Sequence, residues 1–197
     1  LVARGLHYQS SRRDFPFMEV NCAAITDTLF ESELFGHERG AFTDAKTAKK
    51  GLMELADRGT LFLDEVSEMS LNSQAKFLRC LQERVLRRVG GTRDIRVDLR
   101  IIAASNRPLE TRVKEGLFRE DLFYRLNVIP IYIPSLRERK DDILPLARHF
   151  LRESNFRSHK AIKGFTPEAE RLLVVYGWPG NVRELRNLIE RLSLIAS

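Results

Sequence analysis

The sequence has few cysteines, no long apolar run and no internal repeat, and each absence argues against a class of protein. Only Cys22 and Cys80 occur among 197 residues, and neither has another Cys or a His at metal-ligand spacing, so we expect no disulfide framework and no zinc site. A membrane-spanning helix needs about 18 consecutive apolar residues, whereas the longest runs, such as residues 101–104, are strand-sized. These features predict a protein of the reducing cytoplasm without a membrane segment.

The composition is that of a folded chain with a moderate excess of basic residues. Apolar residues make up 43% and charged residues 30%, which supports a core and argues against disorder. Lys and Arg number 33 against 27 Asp and Glu, which gives a net charge of +6. Such an excess permits contact with nucleic acid or another polyanion, but it is as often only a means of solubility.

Apolar runs alternate with helical patterns through the first two thirds of the chain. Thr26 and Ser70 are candidate N-caps of helices, and a further helix is expected over residues 113–126. Strands separated by helices in this way predict an α/β fold with a parallel sheet covered on both faces. The predicted strands are residues 15–20, 60–63, 97–104 and 128–133.

From residue 135 onward the spacing of apolar residues is helical only. The expected helices are residues 141–153, 166–176 and 181–196. We therefore expect two parts, an α/β core over residues 1–134 and a small all-helical subdomain over residues 135–197. Within the core, residues 36–51 interrupt the pattern with three glycines, an exposed-looking Phe42 and a lysine-rich end, which predicts a long projecting loop.

Two carboxylates, Asp64 and Glu65, follow directly on the apolar strand at residues 60–63. Open α/β sheets hold their ligands at the carboxyl ends of the strands. Nucleotide hydrolysis needs such a pair, one carboxylate to hold Mg²⁺ through its water shell and one to polarise the attacking water. The alternative is a strand end that simply meets solvent.

Three further side chains suit the same chemistry. Asn106 follows the next predicted strand and could hydrogen-bond the attacking water or the γ-phosphate; the alternative is a turn residue before Pro108. Arg119 and Arg125 lie six residues apart, and such always-charged groups could reach the γ-phosphate bound by a neighbouring subunit. The alternative for the arginines is ion pairing with acidic residues of their own helix.

Three segments occur in one order: residues 31–43 (ESELFGHERGAFT), the strand that ends in Asp64, and residues 178–185 (WPGNVREL). With them, essentially the whole chain resembles the central AAA+ domain of bacterial enhancer-binding proteins, the activators of sigma-54 RNA polymerase. The resemblance implies an AAA+ P-loop NTPase-type parallel sheet flanked by helices, followed by a helical lid. It also implies that the protein binds ATP and Mg²⁺ and assembles into a ring, usually a hexamer.

Members of that family use ATP hydrolysis to remodel the closed complex of the sigma-54 RNA polymerase holoenzyme, so that promoter DNA can open. By analogy, we expect a DNA-binding domain after Ser197 and a sensory domain before Leu1. The alternative is a hydrolysis-deficient AAA+ module that serves regulation or oligomerisation within a transcription factor.

The resemblance also assigns roles to individual residues. Asp64 and Glu65 correspond to the Walker B pair, in which Asp64 holds Mg²⁺ through water. Asn106 corresponds to the first sensor and Arg183 to the second, and Arg119 and Arg125 correspond to the arginine fingers. Asn21 corresponds to the switch asparagine that contacts the catalytic Glu65. The loop that grips sigma-54 corresponds to Gly40, Ala41, Phe42, Thr43, Asp44 and Ala45.

Two of these residues also have a simpler interpretation. Asn181 can cap the last helix together with Glu184, which places Arg183 in the first turn, facing outward as an ordinary surface arginine. Asn21 could be a strand-end residue in a turn.

The chain departs from the family pattern in three places. The glycine-rich phosphate loop is not in the sequence, which starts with a helical pattern and no Met, so we expect a larger protein and poor ATP binding by this chain alone. Asp44 stands where the family has Gly, and in a ring of six it adds roughly six negative charges near the pore. Arg58 stands where the family commonly has Gly.

Overall fold

A computed structural model describes residues 1–24 and 26–195 of the chain. The chain forms two compact units, Leu1–Pro130 and Ile131–Ser197. The first is a three-stranded parallel sheet with helices and two short antiparallel ribbons, and the second consists of helices. Within the described ranges, no helix is both long and apolar enough to cross a membrane.

The central sheet is built on the strand that carries the carboxylate pair. Its order is β1, β4, β7, and both pairings are parallel, with Phe17 opposite Thr60 and Thr60 opposite Arg100. Leu61 and Leu63 of the middle strand are fully buried, because helices cover the sheet. The strands are β1 (Phe17–Asn21), β2 (Gly36–His37), β3 (Lys49–Lys50), β4 (Thr60–Asp64), β5 (Val85–Leu86), β6 (Ile95–Arg96) and β7 (Arg100–Ala103).

The predicted N-caps lie where helices begin. Ser70 accepts a hydrogen bond from the Ser73 N–H at the start of α4, and Thr26 precedes α2 without a side-chain cap bond. The helices of the first unit are α1 (Val2–Tyr8), α2 (Asp27–Phe35), α3 (Leu52–Leu55), α4 (Leu71–Glu83), α5 (Leu109–Lys114) and α6 (Glu120–Leu126).

The helical unit has its own core. Trp178 is buried among the helices, and its indole N–H donates to the Leu173 carbonyl at 2.8 Å. Its helices are α7 (Ile143–Ser158), α8 (Pro167–Val175) and α9 (Asn181–Ile195). They correspond to the three helices expected from the sequence, except that residue 196 of the third lies outside the described residues.

The predicted fourth strand, residues 128–133, is wrong. These residues are in no strand, and Val128, Ile129 and Tyr132 are 72–81% exposed. An apolar run becomes a strand only where a neighbour takes up its backbone N–H and C=O groups. In the described part of the chain no segment does so.

Two other elements are shorter than predicted. The third strand covers only Arg100–Ala103, because the Val97 N–H bonds to the Arg84 carbonyl and the Asp98 N–H to the Asp57 carboxylate instead of to β4. The helix expected over residues 113–126 is two helices, since Gly116 adopts a φ of +72° between them. Both differences reflect local turns that the apolar spacing does not record.

We expect Leu63→Ala to lower the free energy of unfolding by about 2–5 kcal/mol, because it opens a cavity beside the central strand. Leu71→Ala is the matched control: Leu71 is 48% exposed, and its loss should change stability by less than about 0.5 kcal/mol. Urea denaturation followed by circular dichroism measures both. Equal effects of the two substitutions would contradict the assignment of Leu63 to the core.

Candidate nucleotide site and contact loop

The carboxyl ends of the three parallel strands meet at one edge of the sheet. Asn21, the last residue of β1, lies opposite Asp64, the last residue of β4. Backbone bonds continue beyond the strands: the Cys22 N–H donates to the Asp64 carbonyl and the Val66 N–H to the Ala104 carbonyl, both at 2.9 Å. These bonds hold the segments that carry the candidate catalytic groups in a fixed arrangement.

Glu65 leaves the strand in a left-handed conformation, with φ 53° and ψ 45°. A non-glycine residue in this region is uncommon and strained, and such strain is concentrated at functional sites. The Asp64 carboxylate accepts the Glu65 N–H at 3.1 Å. Among the described residues, the Glu65 carboxylate has no hydrogen-bond or ion-pair partner, so it is available to polarise a water molecule.

The side chain of Asn21 is directed to its own turn. Its amide oxygen accepts the Ala23 N–H at 2.8 Å, which is the geometry of an Asx turn. Within residues 1–24 and 26–195, no hydrogen bond joins Asn21 to Glu65, so the expected contact is not made in this conformation. The switch role of Asn21 therefore remains a prediction.

Asn106 is exposed in the turn that follows β7. The Ser105 hydroxyl organises this turn, since it accepts the Arg107 N–H at 3.1 Å and donates to the Arg107 carbonyl at 2.6 Å. The Asn106 amide has no hydrogen-bond partner in the described part of the chain. The turn lies at the same end of the sheet as Asp64, because Ala104 bonds to Leu63 and Val66. The sensor role of Asn106 remains a prediction.

The two candidate finger arginines are engaged within their own subunit. Arg119 forms a bidentate ion pair with Asp121, at 3.0 and 2.7 Å. This pairing with a nearby acidic residue is the alternative to the role of arginine finger. This pairing lowers the pKa of Asp121. Arg125 donates to the Leu81 carbonyl at 3.2 Å. Because the Arg119–Asp121 pair is nearly half exposed, solvent screens it, and Arg119 can exchange Asp121 for another anion at little cost.

The predicted projecting loop is an ordered ribbon. Strands β2 and β3 pair antiparallel at its base, with Gly36 opposite Lys50. A Cβ on Gly51 would lie 2.3 Å from the Gly36 backbone N, so the two sides approach closely only because these positions are glycine. At the tip, the Gly40 N–H donates to the Ala45 carbonyl at 2.8 Å and closes the turn.

Phe42 is the apolar side chain that this tip presents. It is 39% exposed, and its ring lies edge-on to His37, with 5.0 Å between ring centroids. His37 is in turn buried against the Ser32 hydroxyl, 2.8 Å from its Nδ1. Asp44 is exposed beside Phe42. The contact residues are thus held by a buried support rather than projecting freely.

Sequence reasoning missed the residue that fixes the base of the loop. Arg88, on the turn of the β5–β6 hairpin, binds Glu54 of α3 at 2.9 Å and Glu38 of the loop at 3.1 Å. Backbone bonds reinforce the contact, since the Glu38 N–H donates to the Val89 carbonyl. These partners are 34 and 50 residues from Arg88 in sequence, and no local pattern marks them.

In the helical unit, Arg183 is exposed in the first turn of α9. The Glu184 carboxylate accepts the Gly180 N–H at 2.8 Å, and the Asn181 amide oxygen accepts the Val182 N–H at 2.9 Å. The helix begins at Asn181 as expected, but the predicted cap of Asn181 with Glu184 is wrong, because Glu184 bonds the N–H of Gly180 and Asn181 accepts the N–H of Val182. In residues 131–195, Arg183 has no hydrogen-bond or ion-pair partner.

The carboxylate of Asp64 fits a Mg²⁺ ion that is held largely through water. In the described residues no three His, Cys, Asp or Glu side chains cluster as ligands for a metal. Mg²⁺ commonly binds through one or two carboxylates, several waters and substrate phosphates. Asp64, at the end of β4, supplies such a carboxylate.

The chain is similar to known transcriptional regulators. Residues 1–132 match the model of the sigma-54 interaction domain and residues 137–197 that of an AAA+ ATPase lid domain. The regulatory protein AtoC of Escherichia coli (strain K12) is 56% identical over 97% of this chain and 41% of AtoC. A Nif-specific regulatory protein of Herbaspirillum seropedicae is 54% identical over 97% of this chain and 35% of its own length.

The fold is similar to that of a solved relative. The crystal structure of NtrX from Brucella abortus in complex with ATP superposes with a TM-score of 0.91 at 42% identity, covering 99% of this chain and 42% of NtrX. The chain therefore spans about two fifths of the relatives that it matches.

Cys22 is a probe of the charge at this edge of the sheet. Burial, and then the charges of Asp64 and Glu65, raise its pKa from 9.0 to about 12. Cys80 is a matched comparison, because burial raises its pKa to about 11 and its charged neighbours are Arg79 and Glu83.

We expect iodoacetamide at pH 8 to alkylate Cys22 very slowly, because a pKa of about 12 leaves about a thousandfold less thiolate than a pKa of 9.0. Asp64→Asn should speed alkylation of Cys22 by lowering its pKa and leave Cys80 unchanged. Peptide mass spectrometry measures both sites, and urea-unfolded chain gives the unprotected rates. Alkylation of folded Cys22 at the unfolded rate would contradict this assignment.

Proposed function

The chain belongs to the family of sigma-54 interaction domains, with an AAA+ ATPase lid at its C-terminal end, and on that premise we propose that it is the ATP-hydrolysing module of a transcriptional activator. The observation that carries the proposal is the Asp64–Glu65 pair at the carboxyl end of the central strand. The strained backbone of Glu65 and its unpartnered carboxylate support a catalytic role.

Each candidate residue has a distinct task in hydrolysis. Asp64 orients the water shell of Mg²⁺, which neutralises charge on the phosphates when bound. Glu65 accepts a proton from the attacking water as it approaches the γ-phosphate. Asn106 donates its amide N–H to a γ-phosphate oxygen and so distinguishes ATP from ADP.

The remaining residues couple hydrolysis to assembly and movement. Arg119 and Arg125 act on the nucleotide of the neighbouring subunit in a ring, and Arg119 exchanges Asp121 for the γ-phosphate as the ring forms. Asn21 turns from its Asx bond toward Glu65 when ATP is bound, and Arg183 of the lid contacts the nucleotide as the second sensor. The phosphate loop that completes the site is contributed by the longer protein.

The output of the cycle is transmitted through the ribbon at residues 36–51. Gly40, Ala41, Phe42, Thr43, Asp44 and Ala45 form the surface that contacts sigma-54 RNA polymerase. The buried His37–Ser32 contact beneath Phe42 supports this role, because a rigid base transmits movement to the tip. Contact with DNA is left to another domain of the longer protein.

We expect ATP turnover per subunit of the full-length protein, with Mg²⁺, to rise steeply with protein concentration, because the catalytic arginines come from a neighbouring subunit. Arg119→Ala should reduce turnover at saturating concentration by about a thousandfold or more. Lys114→Ala, at an exposed position of the adjacent helix, is the charge-matched control and should be active. Negligible turnover at every concentration would instead indicate the hydrolysis-deficient module.

We expect Asp44→Gly to improve, or leave unchanged, the binding of sigma-54, since it removes a negative charge next to Phe42 and restores conformational freedom at the tip. Trapping of the complex with a transition-state analogue of ATP measures this in the full-length protein. Asp44→Asn separates the charge from the backbone effect. A clear loss of binding in Asp44→Gly would show that the carboxylate itself takes part in the contact.

A further inference from the structure

A cleft of about 650 Å³ lies at the opposite end of the sheet from the carboxylate pair. It is lined where the chain approaches the amino ends of the parallel strands, by segments just before β1, β4 and β7, and by the end of α4. Its lining residues are Arg12, Phe15, Asp57, Arg58, Glu83, Arg84, Arg96, Val97 and Asp98. None of them takes part in the proposed hydrolysis.

Hydrogen bonds and an ion pair hold the floor of this cleft, which we call the arginine cleft. Arg12 binds both carboxylate oxygens of Asp98, at 3.0 and 2.9 Å, and donates to the carbonyls of Gly59 and Asp98. The Arg58 N–H donates to the same Asp98 carbonyl at 2.8 Å. The segments before β1, β4 and β7 are therefore tied together, and the cleft is preformed.

Each carboxylate of the cleft has a partner within the protein, whereas three of the arginines have none among the described residues. Asp98 is paired with Arg12, and Glu83 with Arg79 of α4. The Asp57 carboxylate accepts the Asp98 N–H at 2.8 Å. By contrast, no hydrogen bond or ion pair in the described residues engages the exposed guanidinium groups of Arg58, Arg84 and Arg96.

Two of these arginines occupy positions that suit glycine. Arg58 has a φ of 63° and Arg84 a φ of 54°, both in the left-handed region. A long, cationic side chain gives no local compensation for this backbone strain. Arg84 ends helix α4, where a left-handed residue is common, whereas Arg58 ends no regular helix, and both residues line the same cleft.

We propose that the arginine cleft binds a small polyphosphate anion, with Arg58, Arg84 and Arg96 as its ligands. The planar fork of arginine matches phosphate oxygens in pairs, and three unpaired forks match a ligand with two or more linked phosphates. The volume of the cleft falls in the range of small-molecule sites. Phe15, 41% exposed at the cleft, offers an apolar surface to a base if the phosphates belong to a nucleotide.

This site is separate from the proposed site of ATP hydrolysis. The five residues of β4 stand between them, a rise of about 16 Å along a strand. Binding here can consequently be tested without ATP turnover, and failure of either proposal leaves the other standing.

The test is titration of this chain with pyrophosphate. Calorimetry measures the affinity, and the shift in Tm gives a second measure of binding. The double variant Arg58→Gly, Arg84→Gly removes two ligands while glycine adopts the same φ without strain, so the fold is retained. We expect its affinity for pyrophosphate to fall at least tenfold. The control, Arg152→Ala with Arg191→Ala, removes two exposed arginines of the helical unit and should bind as the original chain does.

A parallel titration with ADP identifies the source of the phosphates. Equal affinities for ADP and pyrophosphate, both lost in the double glycine variant, indicate that the phosphates alone are recognised. Tighter binding of ADP that Phe15→Ala reduces to the level of pyrophosphate indicates a nucleotide. The proposal would be overturned if the chain did not bind pyrophosphate. It would also be overturned if the double glycine variant bound pyrophosphate as tightly as the original chain.

Discussion

The parallel pairing of β4 with β1 on one side and β7 on the other is the constraint on which the first unit depends. Parallel strands place all their carboxyl ends at one edge and all their amino ends at the other. Asn21, Asp64 and the turn that carries Asn106 are therefore brought to one edge, although they are far apart in sequence. The same geometry brings Arg12, Arg58 and Asp98 together at the opposite edge.

The strain at the edges of the sheet has a common cause. A strand in the middle of a buried sheet must stop where its neighbours stop, and the chain then has to turn within one residue. Glu65 turns at the carboxyl end of β4 and Arg58 turns ahead of its amino end, each with a positive φ. Backbone hydrogen bonds to neighbouring segments hold both turns in place, from the Arg58 N–H to Asp98 and from the Val66 N–H to Ala104.

The contact loop shows how an exposed surface is held by buried groups. Its tip is closed by the bond from the Gly40 N–H to the Ala45 carbonyl. Its conformation comes from His37 and Ser32 below it, and from Arg88 between Glu38 and Glu54 at its base. Arg88 thereby joins the β5–β6 hairpin to the base of the loop.

The sequence by itself determined the three strands of the parallel sheet, the three long helices of the second unit and the placement of Asp64 and Glu65 at a strand end, because apolar periodicity and motif spacing are local properties. It could not exclude a strand at residues 128–133, since a strand exists only where another segment pairs with its backbone. Nor could it locate Arg88 or pair Arg119 with Asp121 rather than Glu120. The tertiary structure alone decided that Arg58, Arg84 and Arg96 share one cleft, because packing, not spacing, sets the distance between residues remote in sequence.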